Sequence, residues 1–510
     1  MSFSDIKKLR EAGKLEEALQ MAQQNLEAQP DNIWNKRAIA WVYYEYLKKN
    51  ASSENFSVFK ENLIKIKELN LPEDERMIFD NSAWQVGSIL FAINKIEPID
   101  YVKINDLFVI IREFHFSKPS EAYSFLYKAF HKAHQNWSRY IEFADWWGFD
   151  NFRSEDYLKE EYKEKKIMSI AEQAYITYAK KLLEGELIDP RSQERKIDKS
   201  KIQEFLPKLE TIIEKYPEYQ YPSYFKAKML LSLGDDENGL SSFFPFAKQK
   251  KNDFWVWDLM ADFYKDDKDI QFACYCKALS LKTQEDFLVK IRQTFAGLLI
   301  ERGMYDEAKT EIDKVVETKS KNEHKIPGQI ISWTNQDWYK SATSKQNNKD
   351  LYSQYLHQVE EVLFHNLPEE IIVIDFVNKD KQILNFVQNK EKFGFFKYTG
   401  YLDKPKTGDI LKVRLQNDGK SEFYKILTVK KADDSVTSPA IKAITGIVRK
   451  KDEQNFGFIE DVFIDQILIN KNQVLSGQKR EVKAILSFNK KKNDWGWKAY
   501  WIGNEEVAEK

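Results

Sequence analysis

Residues Gly13–Asn32 read GKLEEALQMAQQNLEAQPDN. Leu15, Ala18, Leu19, Ala22 and Leu26 recur at three- and four-residue intervals, so they share one face of a helix. Gly13 turns the chain into that helix, and Ala18 is small enough for a neighbouring helix to cross closely. Pro30, followed by Asp31 and Asn32, stops it. The stretch therefore predicts one half of an antiparallel helical pair, and a fold built from such pairs shows itself by recurrence.

Recurrence is present. Gly303–Ala308 (GMYDEA) repeats the turn and the crossing position, Gly234–Gly239 (GDDENG) places Gly239 in the same role, and Asp269–Ala273 (DIQFA) lies between them. The crossing positions Gly239, Ala273 and Ala308 are spaced 34 and 35 residues apart. With its Gly, Ala and Pro marks, this pattern resembles the tetratricopeptide repeat. The resemblance implies a helical superhelix over residues 1–330, degenerate in 50–220, whose concave face holds a peptide or protein partner. A helical connector is expected over 331–370.

In the degenerate part, Ile33–Lys48, Met77–Ile93 and Pro119–Ala133 read as helices with aromatic buried faces. The cluster Trp146-Trp147-Gly148-Phe149, with the segment to Arg153, reads as an aromatic-packed turn, the alternative being a ligand or catalytic site. The charged run Lys159–Lys166 reads as a solvated helical face.

Composition bounds the function. Of 510 residues, 42% are hydrophobic and 31% charged, which is globular rather than disordered. The two cysteines, Cys274 and Cys276, make no disulfide framework and fit a reducing, cytoplasmic setting. No apolar run reaches the ~20 residues of a membrane span, and the N-terminus has no signal-peptide core. Net charge is −1, but Ile371–Lys510 holds 26 Lys and Arg against 19 Asp and Glu. An acidic body with a basic end is the asymmetry expected when one module meets a polyanion.

After Asn366-Leu367-Pro368 the period changes. Ile371–Val377 (IIVIDFV) is apolar and β-branched, and short strands with Gly, Asp and Asn turns follow. Lys390–Phe396 (KEKFGFF) resembles Glu453–Ile459 (EQNFGFI), and Thr407–Leu415 (TGDILKVRL) resembles Ser476–Leu486 (SGQKREVKAIL). Ala432–Pro439 is a polar linker. Two tandem barrels are predicted, over 371–434 and 440–510.

The second, over Ala443–Gly503, resembles a cold-shock domain, an oligonucleotide-binding barrel, through ITGIVRKKDEQNFGFIEDVFID (444–465). The resemblance implies that Phe456, Phe458 and Phe463 stack on bases, with Phe393 and Phe395 as counterparts in the first barrel. Arg449, Lys450 and Lys451 are the expected phosphate contacts. Asn455 and Lys392 stand where the family usually has glycine. Asp465 stands where it has histidine and would repel phosphate. Trp495 and Trp497 are expected to close the barrel. Repeats followed by paired barrels resemble proteins associated with bacterial TOTE conflict systems, components of nucleic-acid-directed defence.

No phosphate loop, dinucleotide turn or nucleophile elbow occurs, and the six histidines show no H-E-x-x-H spacing. His131 and His134 read as ordinary helix residues rather than metal ligands. The expectation is a non-enzymatic adaptor with no cofactor, a protein partner on the repeats and single-stranded RNA or DNA on the barrels. A protein-interaction scaffold that binds no nucleic acid is the alternative.

Overall fold

The computed structural model describes residues 3–162, 165–189, 191–192, 194–399, 401–417, 422–451, 454–489 and 493–505. The chain divides into two compact units, Met1–Phe246 and Ala247–Lys510.

The first unit begins with helices Phe3–Glu11 and Leu15–Ala28, turned by Gly13 at φ 76°. The Lys14 N–H reaches back to the Leu9 carbonyl at 2.9 Å, the six-to-one bond of a glycine C-cap. Gly234 and Gly303 repeat it, with Asp235 N–H to Leu230 O at 3.0 Å and Met304 N–H to Leu299 O at 2.9 Å. Five residues past each turn glycine come Ala18, Gly239 and Ala308, all buried. One local device thus starts a second helix three times.

The degenerate region is helical where predicted, with Ile33–Lys49, Arg76–Ile93 and Glu121–His131. Its core is aromatic. Tyr123 and Trp147 stack at 4.9 Å and exchange hydrogen bonds, each donating to the other's carbonyl at 3.1 Å. Trp147 is fully buried and Phe149 packs on Tyr175, so the aromatic cluster is core. His131 and His134 stack at 4.7 Å, and His131 Nδ1 bonds the Tyr140 hydroxyl at 2.8 Å. Burial pushes the His131 imidazole down to about 3, so it stays neutral.

One expectation fails here. In its described residues the charged run at 159–166 is not a helical face: β1 (Glu160–Tyr162) pairs antiparallel with β2 (Lys165–Ile167), and β3 (Glu186–Asp189) pairs antiparallel with β4 (Glu194–Lys196). Charge spacing alone cannot separate a two-stranded ribbon from a helix, because it carries no apolar period.

The second unit opens with helices Phe254–Phe263, Lys268–Ser280, Glu285–Glu301 and Tyr305–Lys321. Ala273 and Ala308 are fully buried, as are the thiols of Cys274 and Cys276, which burial holds protonated. The expected connector comprises Gly328–Thr334, Asp337–Ser341 and Lys349–Phe364. Its last helix is fastened to the hairpin Glu285–Lys321 by a buried cluster. Glu311 receives hydrogen bonds from Arg292, from the Tyr352 hydroxyl and, at 2.6 Å, from Asn348. Downstream, Arg414 donates to the Leu367 carbonyl at 2.9 Å and pairs with Glu361, tying the same helix to the first barrel.

Two barrels follow. The first contains β5 (Glu370–Asn378), β6 (Ile383–Val387), β7 (Phe393–Lys397), β8 (Ile410–Gln416) and β9 (Lys425–Lys431). The second contains β10 (Ile441–Ile447), β11 (Gly457–Ile459), β12 (Val462–Ile464), β13 (Lys479–Asn489) and β14 (Asp494–Glu505). Sheet orders are β7-β6-β5-β8-β9 and β10-β13-β14-β12-β11. A parallel bridge Phe395–Phe423 closes the first, and an antiparallel bridge Arg449–Phe458 closes the second. Counting strands within each barrel, both closures run 1-2-3-5-4-1, the oligonucleotide-binding arrangement.

The topology corrects the internal duplication. Phe393–Phe396 is the third strand of its barrel, whereas Phe456–Ile459 enters the second strand of the other. The shared Phe-Gly-Phe reflects a shared need for bare backbone. A Cβ on Gly394 would meet the Glu422 carbonyl oxygen at 2.4 Å, and one on Gly457 the Arg449 carbonyl oxygen at 3.2 Å. The other matched pair is equivalent, because Gly408 and Gly477, both at positive φ, lead into the fourth strands β8 and β13.

Ala308→Leu is expected to lower stability by about 1–3 kcal/mol through overpacking at the helix crossing. Chemical denaturation of the full chain measures it, and an unchanged midpoint would show that the crossing has slack.

Candidate nucleic-acid interface

Strand alternation decides which side chains face outwards. In the second barrel Gly457, Ile459, Val462 and Ile464 are sealed inside, so Phe458 and Phe463 project out as direct cross-strand neighbours. Phe456 joins them, with ring centroids 6.0 Å from Phe458 and 5.7 Å from Phe463, and 5.6 Å separates Phe458 from Phe463. All three rings are half-buried.

Pairing extends this face in both directions. Arg449 lies opposite Phe458, with backbone bonds of 2.8 and 2.9 Å, and its guanidinium donates to the Glu460 carbonyl at 2.8 Å. Lys498 lies opposite Phe463 on β14. A row Arg449–Phe458–Phe463–Lys498 therefore runs from the bridge residue after β10 across β11, β12 and β14, with cations at its ends and rings between. Lys450 is half-buried, its N–H held by Ser476 Oγ at 3.3 Å, and Lys451 is exposed.

Asp465 has a structural explanation. It N-caps the helix Gln466–Lys471 through the Leu468 N–H at 3.0 Å, and its other oxygen pairs with Lys498 at 3.4 Å. Its charge is thus compensated on the face where it was expected to repel phosphate.

The expected residues of the first barrel separate. Phe393 packs against Trp495 at 5.0 Å and Phe488 at 6.1 Å, in the apolar seam between the barrels. Phe395 faces outwards and meets Phe423 edge-on at 5.7 Å. Trp497 packs on the interior of the second barrel with Lys442 Nζ over its ring at 4.6 Å, whereas Trp495 belongs to the seam. Lys498 and Phe423 carry no motif. Only the cross-strand register, which a linear reading lacks, brings them onto these faces.

Closed five-stranded barrels in tandem, one with a cation-flanked aromatic face, make the end of this chain a pair of oligonucleotide-binding-type domains attached to helical hairpins. Residues 364–427 match the family model of S1/CSD-like domain 1 of the TOTE conflict systems, and residues 442–502 match S1/CSD-like domain 2 of the same systems. Residues 220–358 match a domain of unknown function, DUF7017. Among solved structures, the TPR domain of P58(IPK) is similar at 14% identity, covering 70% of this chain and 97% of that one, with a TM-score of 0.18. No curated protein matches the chain. No helix among the described residues is long and apolar enough to cross a membrane.

Gly394→Ala is expected to destabilise the first barrel, because backbone and the Tyr424 ring, 2.7 Å from the added Cβ, both block it. Gly496→Ala, with open space around it, is the control. Thermal melts of the two variants should differ, and equal melting would refute the close approach.

Proposed function

We propose that this protein is a non-catalytic adaptor in a nucleic-acid-directed conflict or defence system. Its helical hairpins hold a protein or peptide partner, and its barrels bind single-stranded nucleic acid, RNA in preference to DNA, in the cytoplasm. The observation that carries this reading is the outward row Arg449–Phe458–Phe463–Lys498 with Phe456 beside it. Unpaired bases offer π-faces to such rings, at about 1–3 kcal/mol per stacked base, while guanidinium and ammonium groups neutralise phosphates. The matches to two S1/CSD-like domains of conflict systems support the same assignment.

A duplex offers no such faces, since its bases are already stacked. Nor does the face resemble a peptide groove, because the rings touch one another instead of framing a slot.

Full-length protein titrated into labelled single-stranded RNA and DNA by fluorescence anisotropy is expected to bind, RNA more tightly. Affinity should fall with salt at a log–log slope of roughly −0.7 per phosphate neutralised. Phe458→Ala and Phe463→Ala should each weaken binding by about 1–3 kcal/mol while thermal melting stays cooperative. Absence of salt-dependent binding would leave the protein-interaction scaffold as the reading.

A further inference from the structure

The first barrel carries a second row, of which only Phe395 lies in a sequence motif. Phe376 pairs with Asn385, Asn385 with Phe395, and Phe395 bridges to Phe423. These positions lie on strands one, two and three of their barrel and, at Phe423, on the bridge just before strand five. The same order holds for Arg449, on the bridge just after strand one, and Phe458, Phe463 and Lys498 on strands two, three and five of the other. Leu384, Phe386, Gly394 and Phe396 are buried inside, so the row between them faces out. Phe376 and Phe423 are 54% and 43% exposed. Asn385 is half-buried, and its amide bonds to no described residue.

Each strand's next outward residue forms the row Val373–Val387–Phe393, and that row is covered. Ile485, Leu486 and Trp495 of the second barrel lie against it. Docking of the barrels therefore uses one half of this outer face and leaves the other half open.

The open halves converge on one seam. On the second barrel, the neighbour of Lys498 across β13 is Ile485, buried against the first barrel. Ser487, two residues along, donates to Asp375 at 3.2 Å. Asp375 sits at the bulge beside Phe376, and burial lifts its carboxyl above the ordinary range, partly offset by Ser487 and Lys498. The first row thus ends beside Asp375, which Ser487 of β13 contacts, and the second ends at Lys498, whose partner Ile485 lies two residues from Ser487 on that strand.

We infer that Phe376, Asn385, Phe395 and Phe423 form a second base platform, and that one single strand lies across both barrels through this seam. The inference rests on the nucleic-acid reading proposed above. Phe376 and Phe395 offer ring faces, the Asn385 amide between them offers a donor and an acceptor to a base edge, and Lys397, exposed and two residues from Phe395, is placed for phosphate.

The test compares labelled oligouridylates of about 5 and about 12 nucleotides, spanning one barrel or two, on the full-length protein. The longer strand is expected to bind at 1:1 and at least about tenfold more tightly, as linked sites do. Phe376→Ala and Asn385→Ala, neither of them core substitutions, should remove that length gain while the short strand still binds the second-barrel row. Phe458→Ala should weaken both lengths. A length gain that survives both first-barrel substitutions, or no gain in the wild type while the short strand binds, would overturn the composite platform alone. No binding of either length would overturn the underlying reading with it.

Discussion

Parallel pairing of the third and fifth strands is the constraint on which the barrel surfaces depend. In the first barrel it runs through Phe395, which takes the Tyr424 N–H at 2.9 Å and donates to Glu422 O at 3.0 Å. That approach is possible because Gly394 has no side chain. Once closure fixes the register, alternation leaves no choice about which residues face water. A slip of one residue would bury the rings and expose Phe396 and Gly394. The outer aromatic rows are thus consequences of how the interior is sealed.

The same alternation governs how the barrels meet. An apolar row, Val373–Val387–Phe393, is unstable in water and finds cover on Ile485 and Leu486. The row beside it carries Asn385 and an exposed Phe376, and stays open. Phe393 and Phe395 stand two residues apart on one face, yet one is a packing residue and the other a surface ring. Motif similarity treats them alike. Only the partner barrel distinguishes them.

Much of the helical region was legible because its signals are local. A glycine C-cap and a small residue five positions later report on a single turn, so the spacing from Gly239 to Ala308 survives divergence elsewhere. The cluster around Trp147 was readable as packing from its density of adjacent rings, but its partners Tyr123 and Tyr175 lie on other helices and were not. The barrels mix local and non-local information. Strand content and the turn before the fourth strand were evident, but Phe-Gly-Phe marks a backbone approach and says nothing about strand number. Phe376, Asn385, Phe423 and Lys498 become neighbours only through pairings between distant segments. Asp465 was misread in charge terms because its capping role depends on a short helix that begins after it.

The cluster around Glu311 bears on how the second unit comes apart. Its carboxylate is wholly removed from water and answered by Arg292, Tyr352 and Asn348 at once. Withdrawing one partner strands a charge in a dry interior, so intermediate openings lie uphill of both the closed and the fully separated states. The joint between hairpin Glu285–Lys321 and helix Lys349–Phe364 therefore depends on all three partners being in place together. At its far end the same helix meets the first barrel through Arg414, which pairs with Glu361 and donates to the Leu367 carbonyl, so hairpin, helix and barrel are joined in series by polar contacts.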